Sequence, residues 1–129
     1  MKTFLLLLIA GAAGTAARYG LTLWIQNGPG ARFEFPLATL CINVAGSFLL
    51  GLVAMLALHK WLSPELKTIV GTGFCGAFTT FSTFELEADA LLKRSPPQFW
   101  LYVGGNLILG FLAVGTAQWL ALKLLRPLP

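Results

Sequence analysis

Charge is what this sequence is short of. Asp, Glu, Lys and Arg make up 11% of its 129 residues, against about 25% in a soluble domain. That deficit excludes a surface facing water on every side. Apolar residues reach 57% and the mean hydropathy is +0.77, so lipid must cover most of the outside. Histidine occurs once, as His59, and cysteine twice, as Cys41 and Cys75. Their scatter provides neither the clustered spacing of a metal site nor a nucleophile–base pair, which argues against an enzyme. Each cysteine reads as a small apolar packing residue, and His59, beside Lys60, as a solvated flank. Long loops are missing too, so no separate domain can hang outside the membrane.

Long uncharged runs are what the chain has instead. Phe35–Leu58, Thr68–Phe84 and Ser95–Leu122 carry no charge, and Thr3–Ala31 is interrupted only by Arg18. A helix needs about 20 residues to cross the hydrocarbon core. The expected fold is therefore an all-α integral membrane protein, one four-helix transmembrane domain covering 1–129, with spans at about 3–25, 36–60, 65–92 and 97–123. Lys2, Phe4–Ala10 and Ala10-Gly11-Ala12 look like a secretory leader with its cleavage site. The apolar run continues through Ala17 and resumes at Tyr19–Ile25, so a retained first span is expected.

The connections are turn-like. Asn27-Gly28-Pro29-Gly30 is a turn cluster, and Ser63 can cap the third helix with Pro64 in its first position and Glu65 in its first turn. Trp24, Trp61, Trp100 and Trp119 lie near span ends, as an interfacial aromatic belt requires. Four spans place both termini and the second loop on one side. That side holds Lys2, Lys60, Lys67, Lys123 and Arg126; the other holds Arg32, Lys93 and Arg94, with Arg18 as a possible fourth. Lys/Arg asymmetry fixes orientation. This near-balance permits insertion both ways and motivates an antiparallel pair.

The polar residues inside the spans are patterned. Thr39, Asn43 and Ser47 repeat every four residues along one face of the second span, as do Tyr102, Asn106 and Gly110 in the fourth. The third span interleaves Thr79, Thr80, Ser82 and Thr83 with Phe78, Phe81 and Phe84, after Gly71, Gly73 and Gly76. One reading is interhelical glue, at about 0.6 kcal/mol per hydrogen bond. The other is a water- or ion-filled path. Glycines followed by adjacent β-branched threonines disfavour continuous helix, so the third helix is expected to break near its middle, a flexed helix being the alternative. Amide and hydroxyl donors beside positive aromatic edges suit a small anion. A carboxylate-lined cation path fits less well, because Glu85, Glu87 and Asp89 cluster at one end of the third span. Arg18 is the one cation well inside a span; it could draw anions into a vestibule, snorkel, or pair with an acid of another helix.

The stretch Gly73-Phe74-Cys75-Gly76-Ala77-Phe78-Thr79-Thr80-Phe81-Ser82-Thr83-Phe84 resembles the third-helix motif of the Fluc/CrcB family of fluoride ion channels. Gly14–Tyr19 resembles the family's first-helix motif, Thr39–Phe48 its second, and Tyr102, Asn106 and Gly110 its fourth, so the likeness covers nearly the whole chain. The resemblance implies an antiparallel, dual-topology homodimer in the cell (inner) membrane, multi-pass, with two pores exporting fluoride passively from the cytoplasm. It implies ring edges of Phe81 and Phe84 facing fluoride, an amide donor from Asn43, a hydroxyl from Thr83, and Tyr102 along the path. Thr39, Ser47 and Asn106 complete the expected pore set. Backbone carbonyls of Gly76 and Thr79 from both copies would hold a structural sodium ion. Arg18 would stand at the vestibule and Glu87 would match an acidic position beyond the phenylalanines. The expected partners are fluoride, sodium, membrane lipid and a second copy, with no nucleic acid. Three positions depart from the family pattern: Asn106, often serine; Ala38, frequently glycine; and Glu85, commonly serine. The rival readings are a small dual-topology multidrug exporter, which needs an embedded carboxylate that the first two spans lack, and a non-transporting membrane assembly subunit.

Overall fold

The apolar runs become helices, and one of the four crossings is not continuous. A computed structural model describes residues 1–28, 30 and 34–125. Pro29 of the turn cluster, and Arg32 and Arg126 of the charge comparison, lie outside the described residues. In chain order the elements are α1 (Lys2–Asn27), α2 (Leu37–Leu58), α3 (Pro64–Thr68), a π-helical stretch (Ile69–Cys75), α4 (Gly76–Phe78), α5 (Phe81–Arg94) and α6 (Pro96–Leu125), with no strand among the described residues. Three of these, α1, α2 and α6, are long and apolar enough to cross a membrane unaided. The remaining crossing is the composite from α3 to α5.

Local chemistry sets the ends. Ser63 caps α3, its Oγ accepting from the Leu66 N–H at 3.2 Å, with Pro64 at the start and Glu65 in the first turn. Chain reversal before it uses Lys60 at φ 62°, the left-handed conformation that ends helices. Within the third crossing the helix first widens, so that Gly76 N–H reaches back to Gly71 O, five residues away. It then breaks. Thr79 and Thr80 are extended (ψ 162°; φ −148°, ψ 112°), and α5 restarts with the Thr80 hydroxyl as its cap.

The break lets the crossing change neighbours. Its first half, the π stretch and α4, packs on α1, whereas α5 packs on α6. Central α2 touches every other helix and lies along α6. Gly14 of α1 makes the first seam possible: a β-carbon there would overlap Phe74 O and sit 3.2 Å from Ala77 Cβ. A small apolar core of Phe84, Ala88, Leu91 and Tyr102 joins α5 to α6, with Phe35, Leu40, Phe99 and Val103 against it.

The outside of the bundle is apolar. Phe4, Leu8, Ile9, Leu107, Ile108, Phe111 and Leu112 are all exposed, as the face of an integral membrane protein must be. All four tryptophans are exposed as well, and the Lys123 ammonium sits 3.9 Å over the Trp119 ring. Cys75 is buried as packing, but Cys41 is exposed on the surface of the single chain. Two side-chain contacts tie the ends of the bundle. Thr3 Oγ1 donates to Glu65 Oε1 at 2.8 Å at one end, and Arg94 pairs with Glu34 at 3.3 Å at the other.

Candidate functional site

Breaking a helix inside a membrane frees backbone groups that water cannot satisfy. The site is built from how the chain meets that demand. In a continuous helix the Thr80 N–H would bond Gly76 O, and the Thr83 N–H would bond Thr79 O. Both donors are instead taken by side chains. Thr80 N–H donates to Asn43 Oδ1 at 3.0 Å, and Thr83 N–H to Thr80 Oγ1 at 3.3 Å. The carbonyls of Gly76 and Thr79 are thereby left without these helical partners. Asn43 closes the clamp by donating Nδ2 to Thr80 O at 3.3 Å. One asparagine of α2 thus reads both polar groups of an extended peptide residue, as a neighbouring strand would.

A polar chain runs on from that clamp. Asn43 Nδ2 also donates to Asn106 Oδ1 at 3.0 Å, and Asn106 Nδ2 donates to Tyr102 O at 3.0 Å. Thr80 Oγ1 donates to Thr83 Oγ1 at 2.8 Å, and Thr79 Oγ1 donates to Cys75 O at 3.0 Å. The fully buried Tyr102 gives its phenolic hydrogen to Glu87 Oε2 at 2.6 Å. Aromatic rings flank this chain in a row. Phe81 and Phe84 lie 5.7 Å apart between centroids, and Phe84 and Tyr102 5.3 Å, both tilted. Phe35 meets Tyr102 edge-on at 5.5 Å.

Two cavities meet at the break. The larger, about 510 Å³, lies between α1, the start of α2 and α5; Arg18, Thr22, Gln26, Thr39, Thr83 and Glu87 supply its polar wall. The smaller, about 280 Å³, is lined by Asn43, Gly46, Ser47, Gly76, Thr79 and Phe81 among others. Thr80 lines both. Arg18 makes no ion pair among the described residues, so its guanidinium is a free positive charge beside the larger cavity.

Most sequence-expected residues converge here. Arg18, Thr39 and Thr83 line the first cavity, and Asn43, Ser47, Gly76, Thr79 and Phe81 line the second. Phe84, Tyr102 and Asn106 line neither; they stand directly behind the wall, through the ring row and the Asn43 bond. Phe81 is 69% exposed, and Gly76, Ser82 and Thr83 are exposed too, at the depth of the break. Sequence reasoning missed Thr80 as the clamped residue and the Glu87–Tyr102 bond. The i, i+4 stripes signalled the faces, but no spacing reports a pairing between helices.

Comparisons with known proteins agree on one family. The profile of the family described as "CrcB-like protein, Camphor Resistance (CrcB)" matches residues 5–118. A Bacillus subtilis protein named fluoride-specific ion channel FluC 2 is 44% identical over 112 residues, covering 87% of this chain and 82% of that one. A Chlorobium chlorochromatii protein named fluoride-specific ion channel FluC is 42% identical over 123 residues, 91% of this chain and 93% of its own. A Thermus thermophilus protein of the same name is 42% identical, with 87% of each chain covered.

Proposed function

Because the chain belongs to the CrcB family, we propose that it is a fluoride-selective ion channel through which fluoride leaves the cytoplasm passively across the cell (inner) membrane. One observation carries the proposal: the polar seam running from the Arg18 cavity through Thr80 and Thr83 to Asn43 and Ser47. Its physics suits a small, strongly hydrated anion. Arg18 raises local anion concentration at the entrance. Hydroxyl, amide and ring-edge donors then replace water one at a time, none strongly enough to trap the ion. Phe81 presents its ring edge with Phe84 packed behind it, Asn43 and Thr83 offer the polar hydrogens, and Thr39, Ser47, Tyr102 and Asn106 border the path.

The proposal includes a second copy, antiparallel to the first, giving two pores. Exposed Phe81, Ser82 and Thr83 at mid-depth support it, because hydroxyls and a pore ring facing lipid would be poorly placed. A structural sodium ion at the dimer centre fits the donor set. Gly76 and Thr79 offer carbonyl oxygens without helical partners, the ligand type a hard cation takes. Two such carbonyls from each copy would surround it.

The test is efflux from liposomes holding the purified protein, with a potassium ionophore to dissipate voltage. Fluoride should leave rapidly while chloride stays, and Phe81→Ala should cut the fluoride rate by roughly tenfold or more, as loss of a pore-lining group of about 1.4 kcal/mol does. Inserted, folded dimers that retain fluoride sink the channel reading.

A further inference from the structure

We propose that Asn106 is a latch on the path: its side-chain oxygen occupies the Asn43 hydrogen that an anion needs, and it must swing aside for each passage. The inference rests on the channel reading and concerns how that site is regulated from within.

The hydrogen inventory forces the point. A carboxamide nitrogen carries two hydrogens. Asn43 spends one on Thr80 O at 3.3 Å and the other on Asn106 Oδ1 at 3.0 Å. Its oxygen accepts from Thr80 N–H. Asn43 therefore has no free donor as it stands, although it faces the smaller cavity. An anion can obtain an N–H from it only by displacing one of two acceptors.

The two acceptors differ in how readily they yield. Thr80 O belongs to a backbone peptide, and its bond is one half of the two-sided clamp that satisfies the helix break. Asn106 Oδ1 is the end of a side chain with two rotatable bonds, half-buried on α6. Its own nitrogen holds Tyr102 O, a carbonyl that is already an α-helical acceptor one turn back. Letting go strands no backbone group. Asn106 is thus the releasable partner. When it rotates, Asn43 regains a donor and Asn106 can turn its own N–H toward the same space.

Asn106 is in this sense a positioning residue, acting through Asn43. A serine at 106 would remove the acceptor that reaches Asn43, while its hydroxyl hydrogen could reorient with no heavy-atom movement. In the efflux assay, Asn106→Ser should raise the fluoride rate roughly 3- to 10-fold, the scale of one side-chain hydrogen bond, with chloride still retained. Asn106→Ala should also exceed the unaltered protein, because it frees Asn43 as well. A rate for Asn106→Ser at or below the unaltered protein, with dimer recovery unchanged, overturns the latch and leaves the channel standing. An unaltered protein that passes no fluoride overturns both.

A second measurement covers the case in which the variants do not fold. The sequence holds three asparagines, Asn27, Asn43 and Asn106, so asparagine labelled with 15N yields three side-chain amide signals. On titrating fluoride into the unaltered protein, the Asn43 and Asn106 signals should move together while Asn27 stays. Movement of Asn43 alone overturns the proposal.

Discussion

At the scale of single residues, the break in the third crossing depends on what stands beside it. Asn43 supplies the polar partners, and Gly46, one turn further along α2, supplies the room. A β-carbon at 46 would overlap Thr79 Cγ2 and sit 3.2 Å from Phe78 Cδ1. Thr79 is not free to turn away, because its hydroxyl is bonded to Cys75 O at 3.0 Å and its N–H to the same oxygen at 3.0 Å. Gly46→Ala should therefore push α2 off the break. The expected loss is about 1–3 kcal/mol, the scale of overpacking, read as a lower melting temperature of the purified protein, with Asn43 pulled out of reach of Thr80 and fluoride flux reduced. An unchanged melting temperature would show that the α2 contact at Thr79 is loose. The sequence displayed Asn43 and Thr80 as polar residues on two helices, each on its own stripe. It carried no sign that they pair, because a clamp between residues 37 positions apart depends on the relative depth of two helices.

At the scale of elements, the legible features were those written in consecutive residues. Uncharged runs marked the crossings, Ser63-Pro64-Glu65 marked the start of α3, and Thr79-Thr80 after glycines marked where helix would fail. The π-helical stretch was not legible. Ile69–Cys75 is rich in β-branched residues and glycine, which weaken a helix without specifying a wider turn, and the stretch packs against α1, a contact no local spacing reports. Gly14 tests that seam. A methyl there meets backbone, Phe74 O, which has no rotamer by which to retreat. Gly115 is the matched control, since a β-carbon at that position finds nothing within 4 Å in the chain. Gly115→Ala should be neutral or gain up to about 1 kcal/mol from helix propensity. Gly14→Ala should lose about 1–3 kcal/mol and separate α1 from the π stretch, seen as faster hydrogen exchange at Gly71–Cys75. Equal behaviour of the two variants would remove backbone contact as the reason for the seam.

At the scale of the whole molecule, orientation is the open physical quantity. The Thr3–Glu65 contact and the Arg94–Glu34 pair identify the two ends of the bundle. Lys2, Lys60, Lys67 and Lys123 sit toward the first and Lys93 and Arg94 toward the second, to which the Arg18 cavity opens between α1 and the start of α2; the sequence alone adds Arg126 to the first count and Arg32 to the second. Five cations against three, or four with Arg18, is a weak bias. A chain that inserts both ways can pair head to tail, covering the exposed face of Phe81, Ser82 and Thr83 with its own counterpart. Strengthening the bias should break that supply. His59→Lys with Trp61→Lys loads the first end, at two exposed positions; Asn27→Lys with Ser95→Lys loads the second. Each double variant alone should insert in one orientation and lose fluoride flux to background. The two expressed together should restore it, because each provides the orientation that the other lacks. Reduced insertion would instead lower protein in the membrane, which immunoblotting separates from loss of flux. Full flux from one double variant alone, with its loops labelled from one side only, would mean that a parallel arrangement suffices and that the charge balance has no part in assembly.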